Sequence, residues 1–344
     1  MKKLHATITE SQRRAHAMRM LILLGALIVI VFVISMNTGV IKLTPMEVLR
    51  TLFGGGTSQQ SLILFEFRLP RIVISIMVGA GLAVSGCILQ GISRNALADP
   101  GILGINAGAG LVVVLFVSFY PTSSGTPIFL LPFLALIGAG FTAALIYVLA
   151  YKKGEGLLPI RLILVGIAVA AGISAAMIVL MLRLNPQNYQ LVAVWLAGSI
   201  WGTNWKFVLT LLPWLIVLLP YVFAKAGVLN ILNLGDQVAT GLGAPVENQR
   251  LHLLAAAVGL AGACVAVGGG IGFVGLIGPH LARRLVGPKH QYLLPASALV
   301  GGLLLIAADT LARILLQPAE IPTGIVVAVI GAPYFLYLLA RSNV

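Results

Sequence analysis

The stretch RIVISIMVGAGLAVSGCILQGISR at residues 71–94 decides how this chain folds. Between Arg71 and Arg94 no side chain is charged, and the run 72–92 is long enough to cross a hydrocarbon core of about 30 Å as a helix. A helix pairs its backbone N–H and C=O groups internally, as lipid requires and an open strand does not allow. Runs of the same kind recur at roughly 20–38, 102–120, 128–150, 162–182, 206–224, 252–269, 272–286, 292–312 and 321–340. Together they predict an all-α polytopic bundle of about ten transmembrane helices. The run 272–286 is short and rich in glycine and proline, and residues 191–200 read either as loop or as a partial, re-entrant helix.

Composition supports lipid as the solvent. Of the 344 residues 59% are apolar and 9% charged, with mean hydropathy +1.05, against roughly 25% charged in a soluble domain. No soluble domain of ordinary size fits between the runs, so the chain divides into a cytoplasmic N-terminal segment, 1–19, and one transmembrane domain, 20–344. The basic start followed by an apolar run resembles a signal peptide, but the run is too long for an h-region and no convincing small-x-small cleavage site follows.

The net charge of +13 comes from 22 basic residues scattered between apolar runs, with no basic stretch interleaved with aromatics, which argues against nucleic acid. Topology accounts for the charge. With the N terminus inside and ten crossings, Lys2, Lys3, Arg13, Arg14, Arg19, Arg94, Lys152, Lys153, Arg161, Lys225, Arg250, Arg283, Arg284, Lys289 and Arg341 fall inside. Only Lys42, Arg50, Arg68, Arg71, Arg183, Lys206 and Arg313 fall outside, so both termini read as cytoplasmic. Cys87 and Cys264 sit singly in apolar runs and read as packing residues. Glycines at helical spacing, Gly104/Gly108, Gly198/Gly202 and Gly268/Gly272, suit close helix approach or a pathway lined by small residues.

The longest hydrophilic connection, 225–250, holds Leu234-Gly235-Asp236-Gln237-Val238-Ala239-Thr240-Gly241-Leu242-Gly243. Asp236 is placed to cap a short helix that Gly241 and Gly243 end before Pro245. Such a unit suits docking to a soluble partner; the plain alternative is a solvated connector. At the other boundary Arg68-Leu69-Pro70-Arg71 and Arg313 either anchor helices or offer forked donors to carboxylates on a docking protein. Asp309 and Arg313, four apart, are placed to pair on one helix face, with Glu320 close to a span start. His280 reads as structural or interfacial. There is no phosphate loop of GxxxxGK[ST] form, no HExxH, and no complete GxSxG, so neither ATP binding in a P-loop nor a membrane enzyme finds support.

Several of these segments resemble, in order and over nearly the whole chain, the permease subunits of bacterial ABC importers for iron-siderophores, haem and cobalamin, the type II importer family. They are 68–71; Ser85-Gly86 with Gln90; Arg94-Asn95-Ala96-Leu97-Ala98-Asp99-Pro100 with Leu103-Gly104; Phe273-Val274-Gly275-Leu276 with Pro279-His280; Ala308-Asp309 through Arg313; and Glu320-Ile321-Pro322-Thr323-Gly324 followed by Gly331-Ala332-Pro333. Ala96 departs from the proline usual after arginine-asparagine, which should loosen that turn. The resemblance implies ten spans, a two-subunit pore with an identical or paralogous second permease, and two cytoplasmic ATPases gripping 234–243. It also implies an extracytoplasmic binding protein whose acidic residues meet Arg68, Arg71 and Arg313. On this reading the chain makes no covalent bond and binds no cofactor or metal. An ion-gradient carrier using Asp309 and Glu320 is the alternative of another class.

Overall fold

The computed structural model describes residues 10–39, 41, 43–101, 104–120, 130–153, 156–316 and 319–341. Lys2, Lys3, Lys42 and Leu103 lie outside them. Each expected span coincides with a helix: α1 (Glu10–Asn37), α4 (Leu69–Ser93), α5 (Ile105–Phe119), α6 (Leu130–Ala150), α7 (Pro159–Met181), α9 (Trp205–Ala224), α12 (Val246–Gly268), α13 (Val274–Val286), α14 (His290–Leu315) and α15 (Thr323–Arg341). Seven described helices are long and apolar enough to cross a membrane; α5 and the part of α15 from Thr323 to Tyr337 are apolar but shorter. α1 begins at Glu10, so the basic residues Arg13, Arg14 and Arg19 are carried on the same helix as the first apolar run.

Shorter helices fill the connections: α2 (Pro45–Leu52), α3 (Ser58–Ser61), α8 (Pro186–Leu196), α10 (Ala226–Leu232) and α11 (Asp236–Gly241). Residues 191–200 thus resolve into the last turns of a partial helix, α8, and the turn that leaves it. A π-helical stretch, Leu62–Arg68, leads into α4. Strands β1 (Tyr151–Lys152) and β2 (Gly156–Leu157) form a small antiparallel hairpin between α6 and α7, the one departure from all-α among the described residues.

α4 is the axis. It packs most extensively against α14, α12 and α13, and most of its residues are buried. α1, α7 and α9 lie at the periphery and turn Ile22, Val29, Val33, Leu164, Ile178, Leu209, Ile216 and Val217 outward. An apolar outside around a small-residue inside is the pattern of a bundle solvated by lipid, where van der Waals packing holds helices together. Glycine permits the contact. A methyl at Gly79 would overlap the Gly301 carbonyl oxygen, one at Gly86 the Gly275 carbonyl oxygen, and one at Gly108 the Thr142 hydroxyl. So α4 crosses α14 and α13, and α5 crosses α6, nearly backbone to backbone.

Two of the predicted glycine pairs serve differently. Gly198 and Gly202 have φ of +79° and +74° and shape turns, and Gly272 has open space at its missing Cβ.

Candidate functional site

Three constellations lie in the bundle: a charged cluster at the end where α4 begins, a backbone junction that adjoins it through Glu320 and Thr323, and a clasp at the end where α4 stops.

At the Arg71 end, Arg71 donates from Nε and Nη2 to Asp309 Oδ1 at 2.9 and 2.8 Å and from Nη1 to Glu320 Oε2 at 2.7 Å. Thr323 Oγ1 donates to Asp309 Oδ1 at 3.2 Å. Arg313 Nε lies 3.2 Å from Asp309 Oδ2, as the spacing of four predicts, and its Nη atoms donate to Ser35 and Thr38 at the end of α1. Arg68 donates to the carbonyl oxygens of Met36 and Ile41. All three guanidiniums are buried and committed within the chain. Arg68, Arg71 and Arg313, expected as donors for a docking protein, are each engaged here by groups of the chain itself, and the α1, α4 and α14 ends close over them. Arg71 and Arg313 face the two anions Asp309 and Glu320, while Arg68 is met by carbonyl oxygens alone, and charges partnered in this way are tolerable where a lone charge is not.

Next to this cluster, three helix ends meet. α8 ends in the turn at Gly198, α12 ends at Gly268 before the link 269–273, and α15 starts at Thr323 after Glu320-Ile321-Pro322. The last carbonyls of a helix have no partner within it. Here Gly270 N–H donates to Trp195 O at 3.2 Å and Gly324 N–H to Gly198 O at 2.9 Å. A Cβ at Gly269 would strike Trp195 O, and one at Gly324 would strike Ala197 O. A cavity of about 760 Å³ opens beside this junction, lined by Gln187, Gln190 and Leu191 of α8, by Ser199 and Trp201, and by Glu320 and Pro322. Another of about 520 Å³ is lined by Asn95, Asp99, Gly272, Phe273, Leu276 and Phe335. Phe273 holds a left-handed φ of +67°, costly for a bulky residue, with its ring packed over Gly331.

The turn at 94–101 closes despite Ala96: Asn95 Oδ1 accepts from Leu97 N–H at 2.9 Å and Asp99 Oδ2 from Gly101 N–H at 2.8 Å. Asp99 and Pro100 fill the space above Gly275. Burial pushes the Asp99 carboxyl up to about 6, although the Gly101 N–H pulls the other way. Because that lies above the ordinary carboxylate value of 3.8, the folded chain holds a proton between the two that the unfolded chain has lost. Stability therefore falls as pH rises from about 4 to about 6 and then levels. Asp99→Asn keeps the turn and removes the penalty, so the variant's melting temperature should exceed that of wild type at pH 8 and converge with it at pH 4, read by thermal unfolding in detergent.

At the far end, α11 begins at Asp236 itself. Gly235, φ +106°, is the residue before it, and no side chain caps the helix. The predicted capping role is thus corrected: the Asp236 carboxylate turns to Arg250 and Arg94 instead. Gly241 and Gly243 do close the helix, Gly243 with φ +80°. Leu234, Val238 and Leu242 are exposed at spacings of four, while Ala239 is buried. Pro279 is buried within α13, and His280 meets Tyr334 edge-on at 5.9 Å.

Sequence reading missed Arg250, Trp195, Ser35 and Thr323 as members of these groups. The glycine run 268–272 signalled a break in the chain, but nothing local named the carbonyls that dock on it.

A bundle of long apolar helices with an apolar outer surface, and with helix ends meeting beside a cavity bordered by Gln187, Gln190 and Glu320, is the architecture of a multi-pass membrane protein. The chain belongs to the FecCD transport family, which it matches over residues 27–341. It is 56% identical over 323 residues to the iron(3+)-hydroxamate import system permease protein FhuG of Bacillus subtilis, covering 92% of this chain and 95% of that one. It is 40% identical over 334 residues to the hemin transport system permease protein HmuU of Yersinia pestis, covering 94% and 96%. A solved metal-chelate type ABC transporter in an inward-facing conformation superposes with a TM-score of 0.81 at 33% identity, over 94% of this chain and 99% of that one.

Proposed function

We propose that this chain is the permease subunit of an ATP-driven importer that carries iron(3+) chelates of the siderophore type into the cytoplasm. The observation that carries the proposal is the set of exposed apolar residues in and beside the short helix α11, Val238 on the helix with Leu234 before it and Leu242 at its end, on a bundle of this family. A hydrophobic stripe on a solvated loop marks a docking face, and here it faces a cytoplasmic ATPase. Two ATPases, a second permease copy or paralogue, and an extracytoplasmic binding protein complete the machine. The chain crosses the cell membrane ten times with both termini cytoplasmic, and α8 dips partway in. It holds no cofactor or metal of its own.

In this arrangement ATP binding and hydrolysis move the ATPases, α11 passes the motion to the bundle, and the junction of α8, the 269–273 link and α15 opens to one side at a time. The binding protein docks at the Arg71 end. With Arg68, Arg71 and Arg313 engaged internally, Arg50 and Arg183 are exposed cations at that end for its carboxylates.

Gly241 tests the assignment, since a side chain there meets nothing within 4 Å and leaves the interior intact. Gly241→Trp should insert normally yet co-purify less ATPase and lose most uptake of radiolabelled iron(3+)-hydroxamate in cells. Uptake equal to wild type would remove the docking role of α11.

A further inference from the structure

Asp236 is the one acidic residue of α11, and its carboxylate gathers three parts of the molecule. Oδ1 accepts from Arg250 Nη2 at 2.8 Å and lies 3.3 Å from Arg94 Nη2. Arg94 is the residue on which α4 ends, held in a left-handed conformation with φ 52°, and its Nη1 would be 3.1 Å from a Cβ at Gly235. Arg250 is buried in the first turns of α12, and its Nη1 donates to Leu157 O of the β1–β2 hairpin at 3.0 Å. One oxygen thus ties α11 to the end of the central helix α4, to α12, and through Arg250 to the link between α6 and α7.

The geometry on the two sides of α11 is complementary. Leu234, Val238 and Leu242 face outward, and Asp236 and Ala239 face the bundle. α11 is only six residues long and carries a glycine at each end, so its own backbone is a poor strut. Without a fixed point, a displacement applied to the outer row is absorbed by rotation about Gly235 and Gly243. The Arg94–Asp236–Arg250 clasp removes that freedom, and it acts on α4, the helix that packs against α12, α13 and α14.

We propose that Asp236 is a positioning residue for transport: it locks the ATPase-facing helix to α4 and α12, so that partner motion reaches the pathway instead of turning α11 in place. The inference rests on the permease reading above and concerns how that permease is driven.

The test is the purified complex with its ATPase in proteoliposomes, supplied with the binding protein and radiolabelled iron(3+)-hydroxamate, measuring ATP hydrolysed and chelate taken up together. Asp236→Asn keeps the size and loses the charge. It should bind the ATPase as wild type does and hydrolyse ATP within about twofold of it, while uptake per ATP falls by about tenfold. Arg94→Gln, at a side chain 39% exposed and outside the core, should show the same uncoupling in weaker form. Combining it with Asp236→Asn should add nothing further, because both act through one contact. Wild-type stoichiometry in Asp236→Asn overturns the proposal, as does reduced ATPase binding, which makes Asp236 a docking residue. If Asp236→Asn fails to insert, Arg94→Gln decides: normal stoichiometry there overturns the proposal. Failure of wild type itself to couple uptake to ATP would instead reject the permease reading.

Discussion

Asp309→Asn should leave little folded protein in the membrane. The substitution removes one charge from the centre of a cluster in which Arg71 and Arg313 are both buried and Asp309 is fully enclosed. An amide oxygen can still accept from Arg71 Nε and Nη2, but the charge that held Arg71 is gone, Glu320 reaches only Nη1, and the amide NH2 takes the place of Oδ2 and sets a donor against Arg313 Nε. Breaking one partner of a buried ion pair costs about 3–5 kcal/mol, a large share of the stability of most domains. The damage comes from the cations left behind. Arg71→Leu combined with Asp309→Leu should therefore be milder than Asp309→Asn alone, because it leaves one buried cation, Arg313, with Glu320 as its nearby anion, where Asp309→Asn leaves two cations to that one anion. The amount of folded protein after solubilisation and its thermal midpoint measure both outcomes. Asp309→Asn folding as well as wild type would remove the ion cluster as a structural centre.

Gly86→Leu is expected to be nearly as damaging, for a steric reason. Even a methyl at Gly86 overlaps the carbonyl oxygen of Gly275, and backbone cannot swing aside as a side chain can. α4 and α13 would have to separate, which lifts Gly275 off Asp99 and Pro100 and loosens the turn below. Overpacking of this kind costs about 1–3 kcal/mol for a first methylene and more for a branched chain. Gly140→Leu is the control, since a Cβ there meets nothing within 4 Å and faces outward. A lower thermal midpoint for Gly86→Leu, with Gly140→Leu unchanged, is the expected pair of results.

These two positions show why some of the molecule was legible in its sequence and some was not. The spans could be read because lipid imposes one local rule: an uncharged run of about twenty residues must be helix. The short run at 272–286, which carries Arg283 and Arg284, does not meet that rule, although it is helical as α13. The Asp309–Arg313 contact was legible because four residues along a helix is one turn. The hold of Arg71 on Asp309 was not, since 238 positions separate them and either arginine of 68–71 could equally face outward. Asp236 illustrates the same limit. Its place before a short helix fitted a cap, yet two arginines from distant segments outcompete the helix N–H groups for its carboxylate. Gly86 and Gly301 look like any membrane glycine until the helix they cross is known.

The central claim, that this chain serves as an ATP-driven permease for iron(3+) chelates, is tested most directly by its energy source. Cells lacking the chain and complemented with it would be given radiolabelled iron(3+)-hydroxamate, once with ATP depleted and the membrane gradient kept, and once with the gradient collapsed and ATP kept. The account predicts uptake only while ATP is present, whatever the gradient. Uptake that persists without ATP and stops with the gradient would contradict it, and would make Asp309 and Glu320 ion sites of a gradient-driven carrier.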